Sequence, residues 1–253
     1  MFAEFEHDAL AALTVVLVRA RNPLNIGAVA RAMSNFGCAD LRLVQVHAPS
    51  HEDAVSAVGP SQEILRAARR YESLAEAIAD CGLVYGTLAP HGRAPQQPME
   101  PLPQAAARLR AQMAVGRVAL LFGSEKTGLS NHEFSHCQGV LGIPSRSEHA
   151  SMNLGQAAAV CLYALMVAGF EEVPVDSPEL LPLAEADHVD RITLLLAEAL
   201  AAANYVGIGR PWADENLRAL VRRLRVPQQD ASALTGMLRK IVHVLNRTEK
   251  DLD

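Results

Sequence analysis

The chain has no C-x-x-C pair. Its four cysteines, Cys38, Cys81, Cys137 and Cys161, are scattered along the sequence. That argues against a zinc site or a disulfide framework, and for free, mostly buried thiols in a reducing compartment. No apolar run approaches the ~20 residues that a membrane-spanning helix needs. The opening MFAEFEHDALAAL carries carboxylates where an export signal has basic side chains, so a cytoplasmic location and no membrane partner are expected. Excess positive charge is missing as well: a net charge of −5 gives no global sign of a nucleic-acid partner. Distribution matters more than the sum. Carboxylates crowd EEVPVDSPELLPLAEADHVD, while RPWADENLRALVRRLR and MLRKIVHVLNR lean basic.

What is present is ordinary globular material: 253 residues, 50% hydrophobic and 20% charged, enough for one large domain or a domain with a small appendage. Short, almost continuously apolar runs recur at Leu13–Arg19, Leu41–Val46, Gly82–Thr87, Val118–Gly123 and Val140–Pro144. Such runs suit central strands of a parallel sheet covered on both faces. Between them NIGAVARAMSNFG and PQAAARLRAQMAVG have helical spacing and end in glycine. The alternation predicts an α/β domain with a mostly parallel sheet and helices on both faces. A very apolar helix follows from about Asn153, suited to deep packing or to a subunit contact. We read residues 1–170 as this domain, 171–183 as an acidic, proline-containing linker, and 184–253 as a small all-helical extension. The extension is too small for a self-sufficient core, so it is expected to dock on the main domain or on a second subunit.

The stretch LLFGSEKTGLS contains G-x-x-x-x-G-x-S, the outline of a phosphate-binding loop, but Leu129 stands where that loop needs lysine. Glu125 would also place a carboxylate in the cradle, and like charges in a confined site repel strongly. A neutral or cationic ligand suits it better. Ligands of open α/β sheets sit beyond the carboxyl ends of the strands, and two further strand ends are unusual here. One leads into the proline-rich LAPHGRAPQQPMEPLP, the other into the polar SRSEHASMN. Near the amino terminus, RNPLNIGAVARAMSNFG places Arg31 among small apolar residues. Arg31 either snorkels to solvent, pairs with a carboxylate, or serves a function.

Together NIGAVAR, LLFGSEKTGLS and IPSRSEHASMNLGQAAAV resemble, in order and spacing, the three signature motifs of the SpoU/TrmH-type branch of the SPOUT methyltransferases, over residues from about 13 to 170. The RNPLNIGAVARAMSNFG opening, the GTLAP strand end and the basic helical tail are similar to the subgroup that methylates the ribose 2′-OH at nucleotide 32 of tRNA. The resemblance implies a trefoil-knotted domain, a homodimer with its active site at the interface, and S-adenosyl-L-methionine as methyl donor without a metal. It places donor contacts at Thr87, Leu88, Ala89, Gly123, Ile143, Ala150, Ser151, Met152 and Leu154. It assigns catalysis to Arg31, reaching from the partner subunit, supported by Asn25, Glu125, Ser151 and Asn153. Ser151 and Asn153 also suit a helix cap, and Arg31 acts as an electrostatic stabiliser or as a base. Arg146, His149, His91 and Arg93 are either RNA contacts or surface decoration, and Tyr205 and Trp212 either stack on bases or pack a core. An rRNA methyltransferase and a catalytically silent RNA-binding relative are the alternatives.

Overall fold

The structure is a computed structural model describing residues 10–46, 59–88, 95–146, 152–169, 180–205 and 211–250. The apolar runs become the centre of one parallel sheet. Its strands are β1 (Leu13–Val18), β2 (Asp40–Val44), β3 (Arg69–Tyr71), β4 (Leu83–Leu88), β5 (Met99–Pro101), β6 (Val118–Phe122) and β7 (Gly139–Gly142). They lie in the order β3-β2-β1-β6-β4-β7-β5, every pairing parallel. Strand side chains alternate between faces. Leu13, Val15 and Leu17 therefore join one core, while Val16 and Val18 join the other. Because both faces are covered, β1 is buried at all of its positions, and this is why the run is apolar without a polar alternate.

The helices of the sheet domain are α1 (Pro23–Asn35), α2 (Pro60–Ala67), α3 (Leu74–Ala77), α4 (Leu102–Gln112), α5 (Asn131–Phe134) and α6 (Leu154–Ala168). The first core gathers residues of α1, α4 and α6, and the second those of α3 and α5. Helix α1 begins earlier than the apolar spacing indicates. Asn22 caps it by accepting from the Leu24 N–H, and Pro23 occupies the first turn. Gly37, at φ +68°, follows its end in the left-handed conformation that a glycine supplies. Helix α6 lies so close to α1 that a Cβ on Gly155 would come within 2.6 Å of the Ala28 Cβ.

Two strands depart from the sequence reading. β3 (Arg-Arg-Tyr) and β5 (Met-Glu-Pro) are three-residue edges with little apolar content, the form that sheet edges take when they are guarded against further pairing. β5 lies inside the proline-rich stretch that follows β4. The short α2, α3 and α5 were likewise not anticipated, since one or two turns carry too little periodicity to stand out.

Past the acidic stretch, of which 170–179 lie outside the described residues, come α7 (Ala186–Ala202), α8 (Pro211–Arg223) and α9 (Gln228–Lys250). Ala184, Val189, Ile192, Val221, Val226 and Ala231 form a small core of their own. The helices dock on the sheet domain of the same chain. The Ala186 N–H donates to the Cys81 carbonyl at 2.9 Å, and Arg218 donates to the Ser135 hydroxyl at 3.0 Å. Arg222, fully buried beneath them, is held by Asp190 Oδ1 at 2.8 Å and the Ala186 carbonyl at 3.2 Å. Among the described residues, no helix is long and apolar enough to cross a membrane.

Candidate active site

The two glycines of FGSEKTGLS close the loop on itself. A Cβ at Gly123 would lie 2.2 Å from the Gly128 carbonyl carbon and 2.3 Å from the Leu129 nitrogen, so no other residue fits. Gly128 takes φ +62°, and its N–H is spent on the Ser124 carbonyl at 2.7 Å. A phosphate cradle needs free N–H groups facing a ligand, and here that donor is turned inward. Leu129, the apparent defect, is buried in the core against Gly86.

The loop is tied to the segment before α1 through Glu125. Its Oε1 accepts from Asn25 Nδ2 at 2.9 Å and from the Asn22 N–H at 3.1 Å, and its Oε2 accepts from the Arg21 N–H at 3.1 Å. Partial burial raises the Glu125 pKa, but these bonds outweigh it and the net shift is downward, because they favour the carboxylate. Asn25 in turn accepts from Asn153 Nδ2 at 2.8 Å, while Asn153 Oδ1 caps α6 by accepting from the Gly155 N–H at 2.9 Å. Asn153 therefore caps the helix and joins the network at once. Three segments, one from each motif and spread over 128 residues of sequence, meet in a chain of carboxylate and carboxamides.

A second tie was not foreseen. Arg19, just past β1, pairs with the buried Glu133 at 2.9 Å and reaches the Gly128 carbonyl at 3.2 Å. Glu133 also closes a capping box with Ser130 at the start of α5. That box was legible as S-x-x-E in the sequence; the partner Arg19 was not. Arg19 and Gln45, at neighbouring strand ends, both adopt left-handed backbone at φ +54° and +50°. Together with Ala20 and Arg21 they line an open cleft of about 300 Å³ beside the network. Non-glycine residues held in this region cluster at functional sites.

The donor-contact candidates on three adjacent strands do come together. β4, β6 and β7 are neighbours, and Leu88 pairs with Gly142 as Gly86 pairs with Leu121. Thr87 and Leu88 therefore end beside Gly123 and Ile143. The Thr87 hydroxyl donates to the Leu121 carbonyl at 2.9 Å, while Leu88 and Ile143 are half-buried. Leu154 is buried as the first residue of α6, and Met152 before it is exposed. Ala89, Ala150 and Ser151 lie outside the described residues, as do His91, Arg93 and His149. Arg31 stands apart from the network. It is exposed on α1, about 9 Å along the helix from Asn25 at 1.5 Å per residue, and no described residue of its own chain bonds it. Arg146 and Tyr205 are exposed, and the side chain of Trp212 falls outside the described set. All four cysteines are free and buried. Among the described residues, no group of three or more His, Cys, Asp or Glu is placed to hold a metal ion.

A profile described as the SpoU rRNA Methylase family matches residues 12–163. Over 156 residues the chain is 42% identical to the tRNA (cytidine/uridine/adenosine-2′-O-)-methyltransferase TrmJ of Pseudomonas aeruginosa, across 62% of this chain and 61% of that protein. Over 237 residues it is 32% identical to the tRNA (cytidine/uridine-2′-O-)-methyltransferase TrmJ of Sodalis glossinidius, across 91% of each. The solved structure of TrmJ from Z. mobilis ZM4 superposes with a TM-score of 0.78 at 29% identity, over 90% of this chain and 98% of that one. The two longer matches extend well past the family profile, into the C-terminal helices.

Proposed function

Because the chain belongs to the SpoU rRNA methylase family, we propose that it transfers a methyl group from S-adenosyl-L-methionine to a ribose 2′-oxygen of tRNA, at nucleotide 32 of the anticodon loop. The carrying observation is the convergence of Asn25, Glu125 and Asn153 beside the carboxyl ends of β4, β6 and β7. The names of the relatives that match most of the chain support tRNA as the substrate.

Thr87, Leu88, Gly123 and Ile143 offer a ledge of backbone and half-buried apolar surface, suited to an adenosine and a short aliphatic chain. Bound there, the donor supplies an electrophilic methyl group. Ala89, Ala150, Ser151, Met152 and Leu154 are further donor contacts in this reading. Glu125 has its oxygens engaged by Asn25, Arg21 and Asn22, so its part is to hold the loop rather than to face the sulfonium. A ribose hydroxyl is a poor nucleophile, and its proton must leave as the bond forms. Arg31 keeps its charge and stabilises the developing alkoxide and an adjacent phosphate. It acts on the partner's site, which accords with its exposure and its distance from the network of its own chain. The exposed apolar side chains Val160, Tyr163 and Val167 fall on one face of α6, and a second copy of this chain is the proposed cover. The insertion of β7 between β4 and β5 supports the trefoil knot. The chemistry calls for no metal, and a tRNA substrate accords with a cytoplasmic location.

The test is mass spectrometry of ribose-methylated nucleosides after incubating the protein with tRNA and the donor, with the site mapped along the strand. A 2′-O-methyl group at nucleotide 32 is expected. Transfer to purified rRNA but not to tRNA would replace the substrate, and donor binding without transfer to either would leave an RNA-binding protein.

A further inference from the structure

The C-terminal extension contacts the two strands that flank the β4–β5 connection, and Gln96 just before β5. At its start, the buried Tyr85 of β4 accepts from Arg225 Nη2 at 2.8 Å and from Arg108 Nη2 at 2.6 Å, and donates to Glu100 Oε1 at 2.7 Å. At its close, Glu100 of β5 lies 3.8 Å from the same Arg225 guanidinium. Between them, Gln96 donates through its side chain to Asn216 of α8, and its carbonyl accepts from Arg223 at 3.5 Å. Thr87 and Leu88 follow Tyr85 by two and three residues on the same strand. Arg225 itself is left-handed at φ +49°, a conformation that a side-chain-bearing residue keeps only when its surroundings hold it. Its guanidinium is the single group of the extension that reaches both β4 and β5 among the contacts just described.

We propose that Arg225 is a positioning residue for the methyl donor: from the C-terminal extension it holds the stem of the β4–β5 connection and so sets the ledge formed by Thr87 and Leu88. The inference rests on reading that ledge as the donor site. A single charged nitrogen, Nη2 of Arg225, bonded to Tyr85 and 3.8 Å from Glu100, ties β4 to β5 on the strand that carries Thr87 and Leu88. The consequence is that the extension bears on donor binding.

The test compares full-length wild type with R225A, R225K and R191A, the last removing an exposed arginine that, among the described residues, pairs with Asp187 of the same helix. Calorimetry measures S-adenosyl-L-methionine affinity, filter binding measures tRNA affinity, and amide exchange follows residues 83–101. R225A is expected to weaken donor binding roughly three- to tenfold, the effect of losing about one hydrogen bond. It should also speed exchange in that segment while tRNA affinity stays within about twofold. R225K, which keeps the positive charge but not the planar guanidinium, is expected to recover part of the loss, and R191A should match wild type. Wild-type donor affinity in R225A overturns the proposal, as does an equal loss of donor and tRNA affinity with faster exchange throughout the chain. Wild type that binds the donor and is weakened by R225A, yet methylates no tRNA, refutes the proposed substrate and leaves the positioning role standing. Wild type that binds no donor overturns both.

Discussion

At the amino ends of the strands, Arg42 of β2 is fully buried, with Asp40 at 2.7 Å, Asp80 at 2.9 Å and the Ala77 carbonyl at 2.7 Å around it. Thr14, Arg69 and Arg117 complete that cluster on the two carboxylates. At the carboxyl ends of the same sheet, Asn25, Glu125 and Asn153 make a network of similar size, but Glu125 and Asn153 are exposed. The amino-end cluster surrounds a buried cation with opposite charge and acceptors, and breaking such an arrangement is costly to stability. Hydrogen bonds between exposed groups return little stability, because water replaces them. The carboxyl-end network is therefore not accounted for by what it adds to folding. It holds three loops in register for something else.

The contrast breaks most visibly at Arg31. Under the proposed function, Arg31→Ala lowers methyl transfer to tRNA by roughly 10²–10³-fold, the usual effect of removing one group that stabilises developing negative charge. Thermal unfolding should move within about 0.5 kcal/mol, as for an exposed surface position. A large fall in melting temperature would move Arg31 to the structural side of the comparison.

Asp40→Asn should do the reverse, costing ~2–3 kcal/mol of stability in urea titration with little change in turnover per folded molecule. Acid sharpens the point. Burial raises the Asp40 pKa, but the hydrogen bonds from Arg42, Arg69 and Thr14 outweigh it and hold it at about 2, below the ordinary 3.8. The stability that Asp40 contributes is therefore complete above 3.8 and drains away as the pH falls toward 2. Wild type should lose stability across that window, and D40N should show a shallower slope there. Equal slopes in the two proteins would dismiss the cluster as a source of stability.

A smaller effect is expected at Asn25→Ala, which removes the link between Glu125 and Asn153. Transfer should fall about tenfold, equivalent to ~1.4 kcal/mol in the barrier, with unfolding shifted by less than ~1 kcal/mol. Unchanged kinetics would mean that the three loops hold their places without it. Smallest is Arg69→Ala at the outer rim of the amino-end cluster, where an exposed partner of Asp40 is worth ~0.5 kcal/mol or less. A loss approaching that of D40N would show the cluster to be one cooperative unit.

How far each end could be read beforehand follows from the range of the interactions. The glycines of FGSEKTGLS, the polar entry to α6 and the lone arginine in α1 are local departures from ordinary strand and helix composition, so all three segments stood out. Arg42 did not, because a charged residue in the second position of the run LRLVQV looks like a strand beginning at the surface. Only the approach of Asp80 from before β4, and of Arg117 from before β6, makes it a buried cation. Arg19 was hidden in the same way, since Glu133 lies 114 residues away. The edge strands β3 and β5 escaped because three residues are too few to carry a period, and they pair only with β2 and β7.

By itself the sequence determined the alternation of buried strands and amphipathic helices, the two glycines that close the motif loop, and the kinds of residue placed at three strand ends. These follow from burial, period and backbone freedom, which act over a few neighbours. Tertiary structure alone decided that Asn25, Glu125 and Asn153 form one chain of hydrogen bonds, and that Arg225 reaches from between α8 and α9 to Tyr85 and Glu100. Each of those depends on parallel strands placing their carboxyl ends side by side. That order is set by the packing of whole elements, and no window of sequence contains it.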